Sequence, residues 1–109
     1  MVRDDSRARP PRDFVRVGEW PYAILTDHHA AAVAQLVAQR LAEAMAGREM
    51  SANRLARLSG VNRQTVANVL AGAVWPDLMT IANLERHLGC LWPTENDSLA
   101  GMEDESQQS

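Results

Sequence analysis

Apolar residues recur at steps of three and four along the second half of the chain, which is the spacing of helices packed on a core. The pattern predicts a long helix within residues 27–47, two short helices within residues 51–71, and a fourth helix over residues 78–88. We therefore expect an all-α fold, a compact four-helix domain over residues 27–93. The inward positions of the first and last helices are Val33, Leu36, Val37, Leu41, Ala44 and Met45, then Leu78, Ile81, Leu84 and Leu88.

The two short helices within residues 51–71 carry clear local signals. Ser51 can accept a hydrogen bond from a free amide at a helix start, and Asn62 can do the same after the turn. Gly60 tolerates the left-handed backbone that a sharp helix exit requires, and Gly72 is expected to close the second helix. The inward positions of this pair are Leu55, Leu58, Val66, Val69 and Leu70.

The outward side of the second short helix is polar. Its side chains are Arg63, Gln64, Thr65 and Asn68. Arginine offers a pair of donors that matches guanine, and the amides of glutamine and asparagine match adenine. These four residues are therefore candidates for reading base edges in duplex DNA.

The same stretch resembles a helix-turn-helix of the lambda-repressor-like family, which includes the Cro/repressor and XRE-type regulators. Ala56 lies where the family packs an alanine under the turn, and Gly60 and Val61 match the turn itself. Downstream, Pro76 lies four residues past the closing glycine, and a leucine and Gly89 end the next helix, as in the family. The resemblance covers about residues 30–91. It implies a DNA-binding regulator.

The resemblance also implies phosphate contacts at the start of the first short helix. Arg48, Ser51 and Asn53 lie where the family presents that helix end to a phosphate, and backbone amides there suit an anion. Arg54 and Arg57 are expected on the exposed side of the same helix, with one of them at a phosphate. The phosphate-binding candidates are Arg48, Ser51, Asn53, Arg57 and Asn62.

The formal net charge of −3 is unevenly distributed. Residues 48–72 contain four arginines and one acid, Glu49, for a net charge of +3, whereas residues 85–109 contain six acids and one arginine, for a net charge of −5. A local positive patch is what attraction to a polyanion requires, so the acidic whole does not exclude DNA binding. The composition, 46% apolar and 23% charged, is ordinary for a globular domain.

Three segments outside the helices have their own composition. Residues 1–12 mix arginines with acids and prolines, which predicts a disordered arm, either solvated or inserted into a minor groove. Residues 13–26 contain two β-prone runs, residues 14–17 and 22–25, around a glycine and proline turn, which predicts an extended or hairpin segment. That segment is a candidate dimer contact, the alternative being that its aromatic residues only cover the helical core. Residues 94–109 form an acidic tail that we expect to be disordered.

The ends of the helical segments raise further expectations. Thr26 or Asp27 is expected to cap the long helix, and Gly47 to end it. Trp75 is expected to cover Leu78, with stacking on a DNA backbone as the alternative. The family usually continues into another helix after the leucine and glycine pair, but the proline that follows Trp92 argues against one here.

The titratable residues give little support to catalysis. His28 and His29 are adjacent, so on a helix they point about 100° apart and cannot share a metal. His87 and Cys90 lack a clear third ligand, and a single cysteine excludes a disulfide. We expect no enzymatic activity, no cofactor and no metal. The chain has no apolar run of membrane-spanning length and no signal peptide core, so we expect a cytoplasmic protein of bacterial or phage origin.

These observations predict a sequence-specific regulator of transcription that binds double-stranded DNA. The expected form is a homodimer on an inverted repeat, acting as a repressor. An alternative is the antitoxin of a toxin-antitoxin pair, which would bind a protein toxin through the acidic tail or the amino-terminal segment. A further alternative is an interaction module that keeps the fold without binding DNA.

Overall fold

The computed structural model describes residues 9–94, in which four helices follow a short antiparallel hairpin. The hairpin strands are β1 (Val15–Val17) and β2 (Ile24–Leu25), preceded by a 3₁₀ helix over Pro11–Phe14. The four helices are α1 (His29–Gly47), α2 (Ala52–Ser59), α3 (Arg63–Leu70) and α4 (Leu78–Leu88). This mostly helical fold with a two-stranded hairpin confirms the predicted class. Within residues 9–94, no helix combines the length and the apolar composition needed to cross a bilayer.

The hairpin is shorter than its β-prone runs. Val15 pairs with Leu25 and Val17 with Ile24, with an irregularity between the two pairs. Phe14, which we expected in the first strand, instead ends the 3₁₀ helix and is buried.

The ends of α1 differ from the sequence-based expectation. His28, rather than Thr26 or Asp27, caps the helix, because its Nδ1 accepts a hydrogen bond from the backbone N–H of Ala31 at 3.1 Å. Gly47 is the last helical residue, as expected, but Glu49 adopts the left-handed backbone, with φ of 51°.

The main core lies between the four helices. Its buried members are Val37, Leu41, Met45, Leu55, Val61, Val66, Val69, Leu84, Leu88 and Leu91. Two residues assigned to the inward faces are exposed instead, Leu58 by 47% and Leu78 by 75%. Leu58 lies in the last turn of α2 and Leu78 in the first turn of α4. Periodicity identifies one side of a helix, but it does not show that another element covers that side along its whole length.

A second core joins α1 to the hairpin. Its buried members are Phe14, Ala23, Leu25, Ala31 and Ala32. The helix is therefore buried on two sides, by the other helices and by the hairpin, and even Gln35 is fully buried. The side-chain amide of Gln35 accepts a hydrogen bond from the N–H of Ala23 at 2.9 Å and donates one to its carbonyl at 3.1 Å.

Residues 9–25, the amino-terminal extension, also contact the loop that follows α3. The N–H of Arg12 donates to the carbonyl of Gly72 at 3.0 Å. Trp75 donates from Nε1 to the carbonyl of Arg9 at 2.9 Å, and its ring lies 6.1 Å from that of Phe14. Trp75 therefore packs on the extension rather than on Leu78. Residues 9–12 are held against the helical domain, whereas residues 1–8 of the expected arm lie outside the described residues.

The chain after α4 folds back over the domain without a further helix up to residue 94, as expected. Leu91 is buried, and the Glu85 carboxylate accepts hydrogen bonds from the N–H groups of Leu91 and Trp92 at 2.8 and 3.0 Å. The guanidinium of Arg40 donates to the carbonyl of Trp92 at 3.2 Å. Most of the predicted acidic tail, residues 95–109, lies outside the described residues.

Candidate nucleic-acid interface

Three local features define the starts of α2 and α3 and the turn that joins the two helices. The Ser51 hydroxyl accepts a hydrogen bond from the N–H of Arg54 at 3.1 Å, which confirms it as the cap of α2. Gly60 has φ of 79°, so the left-handed exit expected from the sequence is also confirmed. Asn62 caps α3 through Oδ1, which accepts from the N–H of Gln64 at 2.7 Å.

Apolar packing beneath the turn fixes the orientation of α3. Leu55 from α2 and Val66 from α3 are fully buried, and Val61 in the turn and Val69 in α3 are nearly so. All four belong to the main core, so α3 cannot rotate about its axis without exposing part of that core. The opposite side of α3 is consequently held at a fixed angle to the rest of the domain.

The outward side of α3 carries the four predicted base-reading residues. Arg63 and Gln64 are exposed, and Thr65 and Asn68 are partly exposed. Nε2 of Gln64 donates to Oδ1 of Asn68 at 3.1 Å, a pairing of neighbours one turn apart. The linked amides keep the Oε1 acceptor of Gln64 and the N–H donors of Asn68 available, and adenine presents the complementary donor and acceptor in the major groove.

The positive charges of this surface are not neutralised within the part of the chain that the structure describes. Arg54, Arg57 and Arg63 are exposed, and none of them pairs with an acidic side chain of residues 9–94. Arg54 and Arg57 lie on α2, and Arg63 opens α3. The α2–α3 pair therefore presents three guanidinium groups that no acidic side chain of the described residues neutralises, beside the polar side of α3, and this arrangement attracts a polyanion.

The predicted phosphate-binding residues are placed differently from one another. Ser51 and Asn53 lie at the start of α2, Arg57 is exposed on its last turn, and Asn62 starts α3 with its Nδ2 not used by the cap. Arg48, by contrast, donates to the carbonyls of two other helix ends. Those carbonyls, Ala44 in α1 at 3.3 Å and Leu88 in α4 at 3.4 Å, give its guanidinium a structural contact.

Sequence reasoning missed the support that α3 receives from the amino-terminal extension. Gly72, two residues past the end of α3, has φ of 70°, and a Cβ placed on it would lie 2.6 Å from the ring of Trp20. The indole therefore packs directly on the backbone at this point. The glycine itself was the only sequence signal, and it indicated a helix end rather than an aromatic contact.

The residues considered as metal ligands do not assemble into a site. Within residues 9–94, no group of three or more His, Cys, Asp or Glu side chains could hold a metal ion. Cys90 is exposed, and its thiol donates to the carbonyl of Trp92 at 3.2 Å. His28 is used as the cap of α1 and stacks on Phe14, with ring centroids 4.0 Å apart.

Comparison with known proteins agrees with this geometry. Residues 41–91 match the model of a helix-turn-helix family, and the match spans the end of α1, all of α2, α3 and α4, and the buried Leu91. Comparisons with curated proteins and with solved structures found no match. The matched segment and the α2–turn–α3 geometry show that this chain carries a helix-turn-helix domain of the lambda-repressor-like, XRE-type family of DNA-binding transcription regulators.

Proposed function

We propose that the protein binds double-stranded DNA sequence-specifically by placing α3 in the major groove. The observation that carries the proposal is the polar side of α3, held outward by a buried apolar side. An α-helix fits the major groove, where each base pair presents a distinct pattern of donors and acceptors. The linked Gln64 and Asn68 amides offer such a pattern in a preorganised form.

The side chains divide into two roles. Base edges are read from α3 by Arg63, Gln64, Thr65 and Asn68. Phosphates are contacted by residues of α2 and of the two helix starts, namely Ser51, Asn53, Arg57 and Asn62, and this contact fixes the register on the duplex. Arg48 is a less suitable phosphate ligand than the sequence indicated, because its guanidinium already donates hydrogen bonds to carbonyls at the ends of α1 and α4.

The regulator acts as a homodimer on an inverted repeat and represses transcription. Two-fold symmetry of the protein requires the same symmetry in the site, with half-sites roughly 34 Å apart, or one turn of the duplex. Repression is the simplest output of such a dimer, because occupation of promoter DNA excludes other proteins from it. The antitoxin alternative rests on the acidic tail or the amino-terminal segment, and most of that tail lies outside the described residues.

Selection of bound sequences from a random duplex pool tests this function directly. The selected site should be an inverted repeat, and Gln64→Ala should lose about 1 to 3 kcal/mol of discrimination at one or two base positions in each half-site. Arg57→Ala is the matched comparison, because loss of a phosphate contact should weaken binding to all duplexes alike and flatten the salt dependence. Unchanged base preference in Gln64→Ala would remove that residue from the reading set, and an absence of duplex binding at low salt would overturn the function.

A further inference from the structure

The carboxyl end of α3 has no positive charge in its own part of the sequence. No arginine or lysine lies between Arg63 and Arg86, and the acids Asp77 and Glu85 fall within that stretch. The last turn of α3 contains no basic residue, although the final carbonyls of a helix carry partial negative charge. The three guanidinium groups of the α2–α3 surface belong to α2 and to the first residue of α3. The two ends of α3 therefore differ in the charge that surrounds them.

The amino-terminal extension brings two arginines to this end of α3. The N–H of Arg12 donates to the carbonyl of Gly72 at 3.0 Å, so the backbone of Arg12 lies against the chain two residues past α3. The carbonyl of Arg9 accepts from Nε1 of Trp75, which belongs to the same loop, at 2.9 Å. Both arginine side chains are exposed, and neither pairs with an acidic side chain among residues 9–94. Residues distant in sequence thus supply the charge that the loop after α3 lacks.

The two arginines are not equally available to a ligand. The Arg9 guanidinium lies 4.4 Å from the centroid of the Phe14 ring and donates to the carbonyl of Asp13 at 3.0 Å, so it is held on the extension itself. The Arg12 guanidinium makes no hydrogen bond and no ion pair within the described residues. Arg12 is therefore the cation at this end of α3 that can bind an anion without giving up a contact.

The major groove brings both phosphate strands close to a helix that is seated in it. The groove is about 12 Å wide, and a helix with its side chains is about 10 to 12 Å across. The four proposed base-reading residues all fall within the first six residues of α3, so the carboxyl end is the part that leaves the floor of the groove. In the proposed complex, a segment packed on that end borders the sugar–phosphate backbone. The extension is such a segment, through its contacts with Gly72.

We infer that the amino-terminal extension is part of the DNA-binding surface, with Arg12 at a phosphate beside the carboxyl end of α3. The inference rests on the proposed placement of α3 in the major groove and adds a contact to it. A cation at this position also offsets the partial negative charge of the last α3 carbonyls, which would otherwise face the phosphate. The extension lies outside residues 41–91, which match the family, so the contact is an addition to the matched domain. The bonds to Gly72 and Trp75 hold residues 9–12 beside α3, away from a minor groove.

Fluorescence anisotropy of the full chain with a labelled random-sequence duplex, at several salt concentrations, tests this contact. One phosphate contact contributes about 0.9 to the slope of log affinity against log salt concentration, so Arg12→Gln should reduce that slope by about 0.9 per bound subunit and weaken binding about fivefold near 0.15 M salt. Arg12→Lys keeps the charge and should keep the slope. Arg86→Gln is the matched control, because Arg86 is exposed about 12 Å along α4 from its start, beyond the range of unscreened charge at this salt. Circular dichroism should show the same helix content in all four proteins.

Two further duplexes, one with an A-tract and one rich in G·C pairs, separate a phosphate contact from insertion into a minor groove. The narrow minor groove of an A-tract attracts arginine, whereas phosphates are the same in both duplexes, so Arg12→Gln should weaken binding to both equally. A loss confined to the A-tract duplex would overturn the phosphate contact.

The salt dependence also distinguishes failure of this contact from failure of the proposed function. An unchanged slope in Arg12→Gln, an equal change in Arg86→Gln, or a slope that Arg12→Lys does not keep would each refute the contact of Arg12. If the wild type binds duplex and Arg57→Ala flattens the slope while Arg12→Gln does not, the extension is not part of the surface and the DNA-binding function stands. A wild type that binds no duplex at low salt would refute both.

Discussion

The α2–α3 pair and the amino-terminal extension reach their structures by different means. In the pair, the contacts that form the helix ends join residues close in the chain, such as the Ser51 hydroxyl and the N–H three residues later. In the extension, the contacts span long distances in sequence. Ala23 bonds to a side chain 12 residues away, and Trp75 bonds to a carbonyl 66 residues before it.

This difference separates two sources of order in one small domain. Caps and glycine turns act within one helical turn, so they shape α2 and α3 whatever lies around them. The extension has two short strands, which are barely stable alone in water, so it depends on α1 and on the loop after α3. The extension also packs on the backbone just past the end of α3, where the Trp20 ring contacts Gly72. The ends of α3 are thus shaped by local contacts, and its carboxyl end is also supported by a segment distant in sequence.

Two glycines test this distinction with the same substitution. Gly60 and Gly72 both have positive φ, but a Cβ on Gly60 meets nothing within 4 Å, whereas one on Gly72 meets the Trp20 ring. Gly60→Ala should lower the free energy of unfolding by about 1 kcal/mol, which is the cost of holding a residue with a Cβ in the left-handed conformation. Gly72→Ala has the same backbone cost and also forces the new methyl group against the Trp20 ring, so it should lower the free energy of unfolding by about 3 kcal/mol. Urea unfolding followed by circular dichroism measures both values.

A double-mutant cycle assigns the excess loss to the indole. In a Trp20→Ala background, Gly72→Ala should lose no more than Gly60→Ala does, because the clash has been removed. If Gly72→Ala loses the same free energy with and without Trp20, the ring yields to the added methyl group. The extension would then not support the end of α3 in the way that the packing indicates.

The buried amide of Gln35 tests the other attachment of the extension. Gln35→Leu leaves the N–H and the carbonyl of Ala23 without their partner while keeping a similar volume, and Ala23 is only 2% exposed. Unfolding free energy should fall by about 2 kcal/mol. Gln39→Leu is the control, because it removes a single partly buried hydrogen bond, to the carbonyl of Pro21. If both variants lose the same unfolding free energy, the burial of these hydrogen bonds does not determine how much they contribute to stability.

The same division explains which features the sequence could predict. Ser51, Gly60 and Asn62 were identified because each acts on a group within three residues of itself. Gln35 could not be identified, since a polar residue in a helical pattern indicates a solvent-facing side unless the distant strand that covers it is known. Leu78 was predicted to face the core but is exposed. Periodicity identifies the apolar side of a helix, but it cannot show that no other element packs on that side.

The candidate site follows the same rule. The proposed base-reading residues were chosen for their expected outward positions on α3, which the structure confirms, and the bond between Gln64 and Asn68 follows from their spacing of four. The structural contact of Arg48 with the ends of α1 and α4 was missed, because it joins residues up to 40 positions apart.

The smallest expected effect comes from a cap outside the pair. The Asp77 carboxylate accepts a hydrogen bond from the N–H of Thr80 at 2.7 Å, which lowers the pKa of Asp77 below its ordinary value. Because the folded pKa lies below the unfolded one, the cap contributes its full stability above the unfolded value and loses it as the pH falls through the folded value.

Asp77→Asn supplies the matched control for this pH dependence, since asparagine also caps helices but carries no carboxylate. The difference in unfolding free energy between wild type and Asp77→Asn should shift in favour of the variant as the pH falls below about 4, the region of the ordinary aspartate pKa. Urea unfolding at several pH values measures that difference, and an NMR titration of the Asp77 carboxyl measures the pKa itself. A difference independent of pH would mean that this cap stabilises α4 no more in its charged form than in its neutral one. Such a result would reduce the part of the domain's stability that local contacts supply, compared with the part that the long-range contacts of the extension supply.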